Sequence, residues 1–195
     1  MRRLALLVLL VLVETTVVIG PAGAITFGKP DGNLHPNVGA VLADYDEESP
    51  GPDILCSGTL IDADVFLTAG HCTSFLEGEE ISEVWVTFEP EYDEDDASPS
   101  GVFAGTYVDG IRRYALQSYL SLQASWLNLS MNPSTGDGGT CYGDSGGPHF
   151  LGGVDSNLIV SITVTGDAMC RATDKTYRID TASARAFLDD FVALP

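Results

Sequence analysis

The sequence is short of positive charge: against 28 Asp and Glu it has 9 Lys and Arg, for a formal net charge of −19. Nucleic acids and anionic membranes are held by clustered Lys and Arg, so neither is an expected partner. Cysteine is also sparse. Its four residues include no C-x-x-C, and no Cys or His cluster has zinc-ligand spacing, so no structural metal is expected. Long apolar runs are confined to the first segment. "MRRLALLVLLVLVETTVVIGPAGA" carries Arg2 and Arg3, an apolar stretch from Leu4 to Val13 that Glu14 interrupts, and then Ala22-Gly23-Ala24. It reads as a secretory signal peptide (residues 1–24) cleaved after Ala24, too short before Glu14 for the roughly 20 apolar residues that span a bilayer. A secreted, extracellular chain with no stable membrane association after cleavage is the expectation.

Export makes disulfides the expected state of the cysteines. Arithmetic allows three pairings. The expected one is Cys56–Cys72 with Cys141–Cys170, each closing a local loop. Much of the acidity lies in "EGEE" at 77–80 and "EPEYDEDD" at 89–96. These read as solvated loops, and the second lacks the spaced oxygen ligands of an EF-hand calcium loop.

After the leader, Gly, Pro, Asn or Asp recur every eight to twelve residues or so between short apolar or β-branched runs, an all-β pattern. Strands are expected within 38–45, 57–70, 82–90, 101–111, 156–166 and 176–180. Leu120, Leu122, Ala124 and Trp126 alternate with Ser121, Gln123 and Ser125, which predicts one half-buried strand over 120–126. Phe187, Leu188, Phe191 and Val192 follow Asp180-Thr181, an N-cap pair, and predict a C-terminal helix over 182–193.

Two segments carry chemistry. In "FLTAGHC", His71 adjoins a cysteine that a disulfide would fix, and an imidazole with an ordinary pKa of about 6.5 can act as a general base. In "CYGDSGGPHF", Ser145 is flanked by glycines that let successive N–H groups point at one spot; those of Gly143 and Ser145 suit an oxyanion hole. A serine hydroxyl needs a base to become nucleophilic, which is the role open to His71. His35, in a turn, and His149, on a strand, are assigned no catalytic role.

"CSGTLI" at 56–61, "LTAGHC" at 67–72 and "GDSGGP" at 143–148 resemble the chymotrypsin/trypsin family of serine endopeptidases, in the family's order of His before Ser. The resemblance implies an all-β, chymotrypsin-like double β-barrel with a C-terminal helix, the first barrel over 25–111 and the second over 112–195. It implies peptide-bond hydrolysis through a Ser145 acyl-enzyme with His71 as base, the same two disulfides, protein or peptide substrates, and no cofactor. It matches Asp144 to the aspartate that pairs with the new N-terminus, here Ile25 of "ITFG", and Gly139 and Gly166 to the specificity pocket. A trypsin-like aspartate is absent at 139, leaving Asp137, Asp167 or Asp174 to reach the pocket from a neighbouring loop. A monomer is expected.

One part of the family pattern has no match. The template places its aspartate about 45 residues after the histidine and its serine about 90 later, whereas His71 and Ser145 are separated by little more than half that span. No "DIAL"-like strand occurs between 73 and 140, and about 60 residues of the template, including opening strands of the second barrel, have no counterpart. Asp109, ending an alternating run, is the nearest substitute, ahead of Asp93, Asp95 and Asp96. The alternative is a catalytically impaired or dead homologue serving as a secreted binding module.

Overall fold

A computed structural model describes residues 25–45, 52–79, 81, 83–92 and 111–194. The leader, the acidic residues Asp93, Asp95 and Asp96, and Asp109 lie outside them, as does nearly all of the strand expected at 101–111. The described residues are mostly β, in two curled sheets with the character of half-barrels, which is the double-barrel-like architecture expected from the sequence.

The first sheet has the order β4-β3-β2-β5, all antiparallel: β2 (Val38–Ala43), β3 (Asp53–Asp62), β4 (Val65–Leu67) and β5 (Val84–Thr87). β2 lies between β3 and β5 and is buried on both faces, and its alternation divides the core. Ala40 and Leu42 join Tyr92, Ile54, Trp85 and Ile111 on one face, while Val41 joins Cys56, Ala69, Cys72 and Phe66 on the other. Gly39 and Gly58 are paired across β2 and β3, and a Cβ on either would fall under 3.0 Å from the Phe66 ring. Their missing side chains are what let the ring lie on the sheet.

The run expected as a strand over 57–70 ends earlier. From Gly70 the chain turns into helix α1 (Gly70–Gly78), because Ala69, Cys72 and Leu76 are spaced to face the same core cluster at helical period. Glu77, placed by sequence in a solvated loop, belongs to the last turn of α1.

The second sheet has the order β7-β8-β11-β10-β9: β7 (Ser118–Leu122), β8 (Trp126–Ser130), β9 (Pro148–Phe150), β10 (Ile159–Gly166) and β11 (Thr173–Arg178). The strand expected over 120–126 is instead a hairpin. Gln123 N–H donates to Trp126 O at 2.7 Å, turning β7 onto β8, and β7 is largely exposed rather than half-buried. The C-terminal helix α2 (Ala182–Leu188) is shorter than expected and starts where Thr181 Oγ1 accepts Ala184 N–H at 3.2 Å. No helix among the described residues is long and apolar enough to cross a membrane.

The interiors of the sheets differ. Both hydrophobic clusters belong to the first. The second buries Ser161, Thr163, Asp174 and Thr176, with Thr176 Oγ1 donating to Ser161 Oγ at 2.8 Å. A cavity of about 380 Å³ is lined by Leu116, Gln117, Tyr119, His149 and Phe150 of this half together with Val38 and Ser57 of the first sheet.

A short ribbon, β1 (Lys29–Pro30) with β6 (Arg113–Tyr114), joins the N-terminal segment to the connector between the sheets. Beside it, Arg112 Nε donates to Asp31 Oδ2 at 2.9 Å, and His35 Nδ1 lies 2.6 Å from Asp31 Oδ1. Arg112 also donates to Val38 O and Asn33 Oδ1, and the Asp31, His35 and Arg112 side chains are all buried. Burial alone would raise the Asp31 pKa, but the His35 hydrogen bonds and the Arg112 charge outweigh it and hold the carboxyl below its ordinary 3.8. Removing one partner of a buried pair strands the other charge, so Arg112→Met is expected to cost about 3–5 kcal/mol in urea unfolding at neutral pH. Because the folded pKa is depressed, the Asp31 contribution is fully present above pH 3.8 and disappears as pH falls through the lower folded value. Asp31→Asn should flatten the acid limb of the stability curve below pH 3.8.

Candidate active site

The site is built where the loop bearing Ser145 meets the start of α1. Ser57 N–H of β3 donates to Ser145 O at 2.8 Å, and Thr68 Oγ1 donates to Ser57 O at 2.7 Å. Behind them Gly146 N–H donates to Thr163 O at 2.8 Å, so the loop is pinned by main chain to both sheets. Gly146 has φ +84°, and a Cβ there would fall under 3.0 Å from Thr68 Oγ1, Ser57 O and Ala69 N. Only glycine satisfies both the backbone conformation and the close approach.

Both disulfides join the expected partners, Cys56 to Cys72 and Cys141 to Cys170. The first binds the base of α1 to β3; the second closes the loop that leads into the nucleophile segment. His71, on the first turn of α1, is exposed and has a ring nitrogen within 4.8 Å of both Cys56 and Cys72 sulfurs. The Cys72 sulfur in turn lies 3.9 Å from Ser145 O. The disulfide is therefore the shared neighbour of the imidazole and the serine, although no hydrogen bond joins His71 to Ser145 Oγ. The two sulfurs are bonded to each other and leave no thiolate, so this trio is not a metal centre.

Around Ser145 the amides divide. Asp144 N–H donates to Cys141 O, Gly146 N–H to Thr163 O and Gly147 N–H to Asp144 O, at 2.8–3.2 Å. The N–H groups of Gly143 and Ser145 donate to nothing among the described residues, and Gly143 has φ +92°. Asp144 is buried, and its Oδ2 accepts Cys141 N–H at 2.8 Å. Ile25 and Asp144 line the same cavity. Next to Ile25, Thr26 exchanges main-chain bonds of 2.7 and 3.0 Å with Gly139, and its hydroxyl donates to Cys170 O at 2.8 Å.

The two expected pocket glycines both face Met131, which is wholly buried: a Cβ on Gly139 would overlap its side chain, and one on Gly166 would lie 3.6 Å from its Cε. Of the three acids that could reach this region, Asp137 and Asp167 are engaged elsewhere, whereas Asp174 lies within it, its Cα 3.7 Å from where a Cβ on Gly166 would stand and its Oδ1 without a hydrogen-bond partner among the described residues. Asp137 accepts Ser118 Oγ–H and Thr135 Oγ1–H, Asp174 Oδ2 accepts Gln117 Nε2–H, and Asp167 accepts four loop amides from Met169 to Thr173. The loop amides outweigh the modest cost of burial on Asp167 and hold its carboxyl below the ordinary range.

No carboxylate among the described residues contacts His71. The carboxylates lie instead on the two histidines given no role: Asp31 on His35, and Asp174 3.6 Å from His149 Nε2, which also meets Thr163 Oγ1 at 3.0 Å. Burial pushes the His149 imidazole below its ordinary pKa and the Asp174 charge opposes this without reversing it. Sequence reading missed Arg112 and Gln117, the partners of these two acids; the only signal was a rare cation in an acidic chain.

No protein-family model matches the chain, and no curated protein matches it.

The Gly146 contact gives a direct test of the seam. Gly146→Ala is expected to destabilise the protein by about 3 kcal/mol or more, since it combines overpacking against backbone with a left-handed φ. Denaturant unfolding measures it; a midpoint within error of the parent would show that the loop does not pack on β3 as described.

Proposed function

We propose that the chain is a secreted serine endopeptidase of the chymotrypsin/trypsin type. The observation that carries this reading is the division of amides around Ser145. The N–H groups of Asp144, Gly146 and Gly147 are engaged, whereas those of Gly143 and Ser145, the two the motif assigns to the oxyanion, donate to nothing among the described residues, and neither does that of Tyr142. In the proposed reaction His71 takes the Ser145 Oγ proton as Oγ attacks the scissile carbonyl carbon. The two amides stabilise the resulting oxyanion, and the imidazolium returns the proton to the leaving amine. Water activated by the same imidazole then hydrolyses the acyl-enzyme.

Cleavage after Ala24 would create an α-amine on Ile25, and an ion pair with Asp144 is supported by their common cavity and by the clamp of Thr26 on Gly139. Substrates are proteins or peptides. Asp137 and Asp167 have partners of their own and support no preference for Lys or Arg, and of the three acids only Asp174 keeps a buried oxygen, Oδ1, with no hydrogen-bond partner among the described residues.

The third member of a triad would have to come from Asp109 or another residue outside the described ones. Neutralising that aspartate lowers turnover by about 10⁴ in the template, so turnover here is expected to be slow even though the nucleophile is intact. A fluorophosphonate probe should label Ser145, and His71→Ala should abolish the labelling. A folded sample that resists the probe would favour the binding-module alternative.

A further inference from the structure

Among the described residues the second sheet ends on β7 and β9, neither of which has a strand on its outer side. The two edges are not equivalent. β9 has three residues, begins with Pro148, which has no N–H, and runs within three residues into Gly152 and Gly153 at φ +114° and +102°. β7 has five residues and its side chains are exposed on both faces, with Tyr119 at 65%, Leu120 at 50% and Leu122 at 54%. Leu116, just before it, is 59% exposed.

Register keeps the β7 edge clear of β9. β7 lies alongside Leu127–Ser130 of β8, whereas Pro148 pairs with Ile162, which pairs with Tyr177 and through it with Trp126. β9 therefore sits level with the hairpin turn, beyond the Leu122 end of β7.

Exposed edges are normally protected by a charge, a proline or a covering element. β7 has no charge or proline, and no element among the described residues covers it. In a chain of net charge −19, no Asp, Glu, Lys, Arg or His occurs from Ala115 to Gly136, which includes the whole β7-β8 hairpin. Two copies of so acidic a protein repel over most of their surfaces. The hairpin is where they can approach, and a cationic partner would be drawn elsewhere.

We propose that β7 is a dimerisation edge, pairing antiparallel with β7 of a second copy about a two-fold axis near Leu120. The outward main-chain groups of each edge, which have no strand partner among the described residues, then satisfy those of the other, and Leu120 and Leu122 of both copies leave water together. Pairing β7 with β9 of the next copy would instead build an open filament, which the short, proline-led β9 disfavours. The dimer replaces the monomer expected from sequence and does not depend on the protease reading.

Sedimentation velocity of the purified protein from about 1 to 100 μM should show a monomer–dimer equilibrium. Leu120→Lys should weaken it at least about tenfold by opposing like charges at the axis, with unchanged circular dichroism. Leu120→Glu alone should do the same, and an equimolar mixture with Leu120→Lys should restore dimer. A parent that stays monomeric throughout overturns the proposal, as does a dimer indifferent to both folded variants. Mass rising continuously beyond the dimer would show the open β7-to-β9 contact in its place.

Discussion

The main-chain hydrogen bond from Ser57 to Ser145 O, 2.8 Å long, is the constraint on which the rest of the site depends. It joins a strand of the first sheet to a loop of the second without using a side chain. It forms only because Gly146 lets the loop approach to within main-chain contact of Ser57, Thr68 and Ala69. Once it is in place, the disulfide that anchors α1 lies against the serine carbonyl, and His71 is carried to the same locus. The seam is held by main-chain bonds to both sheets, and beside it the N–H groups of Gly143 and Ser145 donate to nothing among the described residues.

The distribution of polar groups follows from how each sheet is covered. The first sheet packs apolar side chains on both faces of β2, and its buried polar side chains, Ser57, Thr59 and Thr87, carry hydroxyls and no charge. The second carries Asp174, Thr176 and Ser161 fully buried beside hydroxyl, amide and imidazole groups, with Asp174 Oδ1 left without a hydrogen-bond partner among the described residues. Asp31, His35 and Arg112 do the same for the connector: a charge-assisted knot where N-terminal segment, β2 and inter-sheet chain converge. Buried carboxylates thus attach to His35 and His149, which stabilise the frame, and none among the described residues attaches to His71.

Much of the local structure was legible from residue pattern. Short apolar or β-branched runs between turn residues placed β2, β5, β10 and β11, Thr181 marked the start of α2, and both disulfides fell on the expected pairs. Two patterns misled. Ala69, Cys72 and Leu76 belong to a helix whose period was hidden behind the apolar run before it. The alternation over 120–126 crosses a turn, because a tight hairpin between two uncharged strands contains no Gly or Pro to mark it.

By itself the sequence determined what adjacent residues dictate: strand period, caps, the glycine-lined serine loop, and the identity of the residues able to act as base and nucleophile. Only the tertiary structure decided, among the described residues, which histidines acquire a carboxylate, which acids are already engaged, which amides stay unpaired, and which strand ends a sheet. Those outcomes depend on partners distant in the chain, such as Asp31 with Arg112 or Gln117 with Asp174, and no local pattern encodes a contact whose two halves are brought together only by the folding of both sheets.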